Sequence, residues 1–226
     1  AKRAALEVKE HMIVNLGIGI PSLVPNHLPP GVPVVFQSEN GIIGIGPEPV
    51  QGQQDENLCN AGGYPVSLMN GGCYTDSSIA FAMIRRGKVD LTILGSLQVS
   101  EKGDLANWII PGKKVPGMGG ATELASKAKR VIVLMTHLDK KGGSKIVREC
   151  TLPITTRSCV SMIITDRAVF TIEDGRLILK ELFGGKSAFR ISIFLMFFPL
   201  TLYLSYKTLT SVPAMLISTL AILIFL

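Results

Sequence analysis

Short apolar runs, spaced by glycine turns and by helix-length segments, constrain this chain more than any other feature. Residues 12–16 form one such run and lead into Gly17-Ile18-Gly19-Ile20-Pro21. Residues 32–37 form a second, which closes on Glu39. Residues 89–99 read as one long, mostly buried strand and residues 130–135 as another. Helices are predicted between them over residues 2–10, 75–86 and 122–129, the second with Thr75, Asp76 and Ser77 as N-cap candidates. Residues 160–183 alternate like a hairpin that turns at Glu173-Asp174-Gly175. Strands alternating with helices predict an α/β domain: an open, mostly parallel sheet with flanking helices and a C-terminal hairpin. Functional loops of such a sheet gather at the carboxyl ends of its strands, where Glu39 and the Gly17–Pro21 turn both fall.

Glu39 is the first candidate for chemistry. It stands in Gln37-Ser38-Glu39-Asn40-Gly41, and the chain is then expected to turn through Gly41, Gly44 and Gly46. A carboxylate at the end of a buried strand, with bare backbone beside it, has what nucleophilic catalysis by glutamate requires. The equally simple alternative is a solvated strand end. Gly17 to Pro21 carries only GxGxP, with no third glycine and no Lys-Ser/Thr pair, so it reads as a tight turn that admits a close neighbour rather than as a nucleotide loop. Gly117-Met118-Gly119-Gly120-Ala121 runs into the helix at 122–129, so Gly119 and Gly120 would present N–H groups at a helix N-terminus, a place suited to an anion.

Composition narrows the function classes. Basic residues number 23 and acidic residues 17, for a net charge of +6, but Lys186, Arg190 and Lys207 all follow residue 185. Without those three, 20 basic residues face 17 acidic ones, a net +3. The basic residues form no stripe interleaved with aromatics, which argues against nucleic acid as a partner. A weakly positive domain still favours an anionic small molecule. Cys59, Cys73, Cys150 and Cys159 show no metal-ligand spacing, so free thiols are expected and no metal. His11, His27 and His137 share no motif and are assigned to surface or loops, His137 being of most interest because it follows a strand.

The composition breaks sharply near Gly185. All 23 glycines and all 17 acidic residues lie at or before that position. Residues 1–185 are therefore read as the catalytic domain and residues 186–226 as a hydrophobic tail. The tail is long enough for two short membrane spans broken at Lys207, with Pro199 and Pro213 interrupting the halves. Membrane contact, a buried or partner-covered extension, and a foreign read-through segment are the three readings it allows. The chain opens on Ala1 and shows no targeting segment, as expected of a trimmed or partial N-terminus.

An ordered set of motifs resembles one family. The stretches are Asn15 to Pro21, Gln37 to Gly41, Asn60-Ala61-Gly62, Phe81 to Arg85, Gly103 to Trp108, Pro111 to Lys113, Gly117 to Ala121, Cys150 to Pro153 and Ile163 to Thr165. Together they are similar to the B-type half, the C-terminal one in fused chains, of the 3-oxoacid coenzyme A-transferases. The resemblance implies an open α/β sheet, and an active site shared with an A-type subunit in a hetero-oligomer. It also implies transfer of coenzyme A from an acyl-CoA to a carboxylate by ping-pong chemistry, without cofactor. Glu39 falls at the family's nucleophilic glutamate, and Gly120 is the implied oxyanion and thioester contact. Gly17 and Gly19 would form a wall beside Glu39, with Gly119 in the anion-binding loop.

Other positions keep two readings. Asn40 orients Glu39 or serves the turn, and Asn107 bonds substrate while Trp108 packs. Lys113 and Lys114 meet CoA phosphates or are a solvated pair. Acyl-CoA hydrolysis and an inactive, membrane-associated or truncated assembly module are the alternative functions. The implied location is cytoplasm in a bacterium and the mitochondrial matrix in an animal.

Overall fold

A computed structural model of the chain describes residues 1–112 and 117–183. Lys113, Lys114 and the tail at 186–226, with the roles expected of them, fall outside the described residues. Among the described residues, nine strands form one sheet. Its centre is parallel: β1 (Ile13–Leu16), β2 (Val35–Ser38), β5 (Leu91–Leu94), β8 (Arg130–Leu134) and β10 (Met162–Ile164), in the spatial order β10-β8-β5-β1-β2. Antiparallel strands extend both margins. β3 (Ile42–Ile45) and β4 (Leu68–Tyr74) follow β2, while β11 (Ala168–Glu173) and β12 (Arg176–Leu182) follow β10. The expected open, mostly parallel α/β sheet is present.

Both faces of the sheet are covered, which is why its central strands are near-continuous apolar runs. On one face α1 (Lys2–Ala5) and a 3-10 helix (Ile20–His27) pack Ala4, Ala5 and Val24 with Val14, Phe36, Leu91, Ile93 and Ile132. On the other, α2 (Ser77–Arg85) and α3 (Ala121–Lys127) pack Ile84, Leu124 and Ala125 with Leu94, Val131, Val133 and Ile163. β8 shows the division, with Val131 and Val133 on one side and Ile132 and Leu134 on the other. α2 begins as its sequence dictates: Asp76 is the N-cap and its carboxylate accepts from the Ser78 N–H at 2.7 Å. It ends where Gly87 takes a positive φ and donates to the Ile84 carbonyl.

Four local expectations are corrected. The helix of residues 2–10 is α-helical only over Lys2–Ala5. Beyond it the Leu6, Glu7 and Val8 N–H groups bond three residues back, which tightens the turn so that Val8 joins the core while Leu6 stays 73 % exposed. The long strand of residues 89–99 is two strands: after β5 the chain leaves the main sheet at Gly95. It then forms β6 (Gln98–Ser100), which with β7 (Leu105–Ala106) and β9 (Ile146–Val147) makes a separate three-stranded sheet. Only Gly41 of the three glycines after Glu39 lies in a turn. Gly44 sits within β3, where the register with β4 shifts. Residues 160–183 hold the hairpin β11–β12, turning at Asp174 and Gly175 with φ of 52° and 71°, but also β10, which runs parallel to β8.

Two carboxylates tie elements together. Glu7 accepts from Arg3 at 2.7 Å and Arg130 at 2.8 Å, joining α1 to β8. Asp90 accepts from the Ile13 N–H at 2.8 Å and from Lys129 at 2.7 Å, fixing the start of β1. Burial pushes the Glu7 carboxyl up, but the two guanidinium bonds outweigh it and hold Glu7 below the usual range. The Ile13 N–H, then Lys129, holds Asp90 low as well. Stability from a depressed carboxyl is present above its unfolded-state pKa and disappears as pH falls through the folded one. The thermal midpoint is therefore expected to decline below about pH 4. Glu7→Gln and Asp90→Asn should each lower the midpoint at neutral pH and flatten that acid decline in a thermal melt series.

Candidate active site

The site is assembled where β1, β2 and β5 end. β1 and β2 are neighbours with Asn15 opposite Gln37, and β1 pairs with β5 so that Asn15 is also opposite Thr92. Two residues beyond Gln37, alternation returns the chain to the face covered by α2 and α3, and there Glu39 stands half-buried. Asn15 Nδ2 donates to Glu39 Oε2 at 3.2 Å. On the other side lies Gly120, the N-cap residue of α3. A Cβ added to Gly120 would stand 3.2 Å from both Glu39 Cγ and Oε1 and 3.3 Å from Cδ. The carboxylate is thus held between a side-chain amide and a glycine backbone.

The turn carrying Glu39 is staked from outside. Asn40 Nδ2 donates to the Cys59 carbonyl at 2.7 Å, and Ser38 Oγ accepts from the Ala61 N–H at 3.1 Å. Of the two readings of Asn40, this bond is the turn-serving one. Gly41 has φ of 110° and packs directly on the Thr75 carbonyl, whose own N–H donates to the Gly41 carbonyl at 2.8 Å.

The remaining candidates fall close by but divide into separate groups. Gly17 packs against the β5 backbone: a Cβ there would be 3.3 Å from the Ile93 carbonyl oxygen and from Leu94 Cα. Its N–H bonds that same carbonyl at 2.8 Å. The close neighbour of Gly17 is therefore a strand, whereas Gly19, with φ of 85°, has nothing within 4 Å of an added Cβ. Gly119 has φ of 53° and is equally open. Asn107 Nδ2 donates to the Gly95 carbonyl at 3.3 Å, and its Oδ1 accepts from Thr155 at 2.7 Å, so its amide braces the exit from β5. Glu39 and Gly120 come together; Gly17 and Asn107 meet instead around Gly95.

Asn15 is the site residue that the sequence alone does not single out. Its signal is nonetheless present, since Asn15, Gln37 and Thr92 are the polar interruptions of three apolar strands. They are almost wholly buried, at 1 %, 2 % and 0 % exposure. Asn15 Oδ1, Gln37 Nε2 and Thr92 Oγ1 have no hydrogen-bond partner. A buried polar atom left unpaired costs about 1–3 kcal/mol, so this row is not there for stability. Thr92→Val, which removes one such atom at nearly constant volume, is expected to raise the thermal midpoint slightly.

Burial pushes the Cys159 thiol up to about 12 and the Cys150 thiol up to about 11, which suppresses the thiolate. His137, expected on surface or loops, has its ring buried near Phe170 and its backbone N–H donating to Asp166 at 2.6 Å, and burial lowers its pKa. Among the described residues no three His, Cys, Asp or Glu side chains gather as metal ligands, and no helix is long and apolar enough to cross a membrane.

A central parallel sheet with antiparallel margins and helices on both faces makes this an α/β protein, and its fold is CoA-transferase-like. The fold matches the acyl-CoA transferase YdiF of Escherichia coli O157:H7 with a TM-score of 0.61 at 20 % identity, over 80 % of this chain and 36 % of that one. The family model described as coenzyme A transferase matches residues 1–185, and the chain belongs to that family. It is 60 % identical over 187 residues to a Bacillus subtilis (strain 168) protein named as the probable beta subunit of a coenzyme A transferase, covering 83 % of this chain and 86 % of that protein. A second protein of that bacterium, named as the probable B-type subunit of a succinyl-CoA:3-ketoacid coenzyme A transferase, is 53 % identical over 184 residues, 81 % of this chain and 85 % of its own length. The chain is an enzyme of this B-type kind.

Proposed function

We propose that this chain is the glutamate-bearing subunit of an enzyme that moves coenzyme A from an acyl-CoA, such as succinyl-CoA, to a 3-oxoacid or other short-chain carboxylate. The observation that carries the reading is the Glu39 carboxylate held between Asn15 and Gly120 at the carboxyl end of β2. A free Glu39 oxygen attacks the thioester carbonyl and the CoA thiolate leaves, giving a mixed anhydride. The thiolate then attacks Glu39 Cδ and expels the donor acid as a carboxylate, leaving a glutamyl-CoA thioester. An acceptor carboxylate runs the two steps in reverse. Each hard displacement becomes two easier ones, the exchange is nearly balanced in energy, and no ATP, metal or added cofactor takes part.

Charge develops first on the substrate carbonyl, so a donor aimed at that oxygen is required. The backbone N–H groups of the Gly117–Ala121 turn other than that of Ala121, which bonds the Met118 carbonyl, are the donors proposed, with Gly120 foremost because a Cβ there would stand 3.2 Å from Glu39 Oε1. The relatives are named as beta and B-type subunits, and we assign this chain an A-type partner that completes the acyl pocket. Residues 1–185 are the catalytic domain in this reading.

The test uses the chain assembled with its A-type subunit. Incubation with acyl-CoA, followed by borohydride or hydroxylamine and peptide mass mapping, is expected to modify Glu39 only when acyl-CoA is present. Modification elsewhere, or none, overturns the reading. CoA release that does not depend on an acceptor acid would identify a hydrolase instead.

A further inference from the structure

Beside the turn that carries Glu39, two large apolar side chains stand in the open. Ile18, two residues past the end of β1, is 64 % exposed, and Tyr64 is 55 % exposed. A single exposed apolar residue is ordinary, but a pair that converges next to a candidate site is informative. These two converge on Gly62, where an added Cβ would stand 3.1 Å from Ile18 Cγ1 and 3.2 Å from Tyr64 Cδ2. A side chain at position 62 would push them apart.

The segment that carries Tyr64 is fastened to the turn on both sides of Glu39. The Cys59 carbonyl accepts from Asn40 Nδ2 at 2.7 Å, and the Ala61 N–H donates to Ser38 Oγ at 3.1 Å. Within the segment, Asn60 Oδ1 accepts from the Gly62 N–H at 2.9 Å and from the Tyr64 N–H at 3.1 Å. The Asn60 N–H donates to the Tyr64 carbonyl at 2.9 Å. Residues 60–64 are therefore a preformed loop, and presenting Tyr64 to a ligand carries no further ordering cost. Ile18 reaches the same place from β1, the strand next to β2. Together the two side chains make one wall flanking the glutamate's turn.

Charge settles what such a wall can take. Residues 12–26 and 28–75, which supply β1 to β4 and the loop at 60–64, contain no lysine, arginine or histidine. The phosphates of coenzyme A, or a carboxylate at the far end of an acyl chain, find no cation on these segments. Hydrocarbon does gain, because an aliphatic and an aromatic side chain both lose water against it. We propose that Ile18 and Tyr64 form an apolar wall of the acyl site, which takes the uncharged hydrocarbon end of the acyl group. This rests on the reading of Glu39 as nucleophile, since the acyl carbon then docks at Glu39 and its chain lies along the neighbouring surface. An acetyl group is too short to use the wall and a butyryl group uses it fully. The terminal carboxylate of a succinyl group gains nothing from it and is left to the A-type half.

The test compares parent, Ile18→Ala, Tyr64→Ala, Tyr64→Phe and Leu6→Ala, each assembled with the A-type subunit. Each is assayed with acetyl-CoA, butyryl-CoA and succinyl-CoA against one acceptor acid. In the parent, kcat/KM for butyryl-CoA is expected to exceed that for acetyl-CoA on the order of 10-fold or more. Ile18→Ala and Tyr64→Ala should each lower that ratio on the order of 10-fold, with a smaller effect on succinyl-CoA. Tyr64→Phe keeps the ring and should keep the ratio. Leu6→Ala removes an equally exposed side chain outside the wall and should keep all three constants. Thermal midpoints should stay near parental, since neither wall residue is buried. A parent without preference for butyryl-CoA, or alanine variants that keep the parental ratio, overturns the inference. So does an equal loss with all three donors accompanied by weaker assembly in gel filtration, which would make the pair a contact for the A-type subunit. If the parent forms no acyl-CoA-dependent adduct at Glu39, the nucleophile reading falls instead, so the two failures are distinguishable.

Discussion

Glu39→Gln is expected to lower kcat for CoA transfer by a factor on the order of 10⁴ to 10⁶, the scale on which removal of a nucleophile acts. The substitution is nearly isosteric and keeps a carbonyl oxygen that can accept from Asn15 Nδ2, so the turn at Ser38–Gly41 and its bonds to Cys59 and Ala61 have no reason to change. What is lost is the charged oxygen: an amide does not attack a thioester. Thermal midpoint and assembly with the A-type subunit should match the parent, while the borohydride-trapped adduct disappears. Glu39→Asp makes a second point. It keeps the charge but withdraws the carboxylate by one methylene from a position defined by Asn15 on one side and Gly120 on the other, and a displacement near 1 Å from attack geometry costs about 100-fold. A Glu39→Gln enzyme within tenfold of the parent would remove Glu39 from the chemistry.

How much of this was legible in the sequence depends on the range of the interactions involved. Most of the parallel centre could be read because its strands are apolar runs buried on both faces, as in residues 130–135; β10 was instead taken into the hairpin that follows it. α2 could be read because its cap, Asp76, lies within a few residues of the helix it starts. The break at Gly95 could not. Nothing local separates β5 from β6; the chain changes sheets because β6 finds β7 and β9, the latter nearly fifty residues away. β3 was hidden for a related reason, since Gly44 looked like a turn residue and is instead where the β3 backbone closely approaches β4 at Gly72.

The same division runs through the site. Glu39 and Gly120 were singled out through motifs, and the structure sets them side by side, so that a Cβ on Gly120 would stand 3.2 Å from Glu39 Oε1. Asn15 was not singled out, because its meaning depends on β1 and β2 pairing in the one register that puts it opposite Gln37 and two residues short of Glu39. Gly17 was expected from the family resemblance to form a wall beside the glutamate; it packs on β5 instead, and the space a side chain would occupy is filled by Ile93 and Leu94. Strand order decides such cases, and strand order is a property of the whole sheet.

Gly120→Ala tests the contact on the far side of Glu39. Gly120 has φ of −81° and ψ of 1°, a conformation that alanine adopts without strain, so the backbone itself tolerates the change. The obstacle is spatial. The new methyl would stand 3.2 Å from Glu39 Cγ and Oε1, closer than methyl groups ordinarily approach, and the side chain would have to give way. It would give way from the position proposed for attack, and the N–H groups of the turn would shift with it. Both effects fall on the transition state, and kcat is expected to drop on the order of 1000-fold with a small change in thermal midpoint. Gly119→Ala provides the opposite signature. Its φ of 53° strains an alanine, yet an added methyl meets nothing within 4 Å, so it should cost about 1 kcal/mol of stability and leave Glu39 in place. Adjacent glycines would then separate, one in kcat and the other in the melting curve. A Gly120→Ala enzyme with parental kcat would show that Glu39 reacts from somewhere other than the position it occupies beside Asn15.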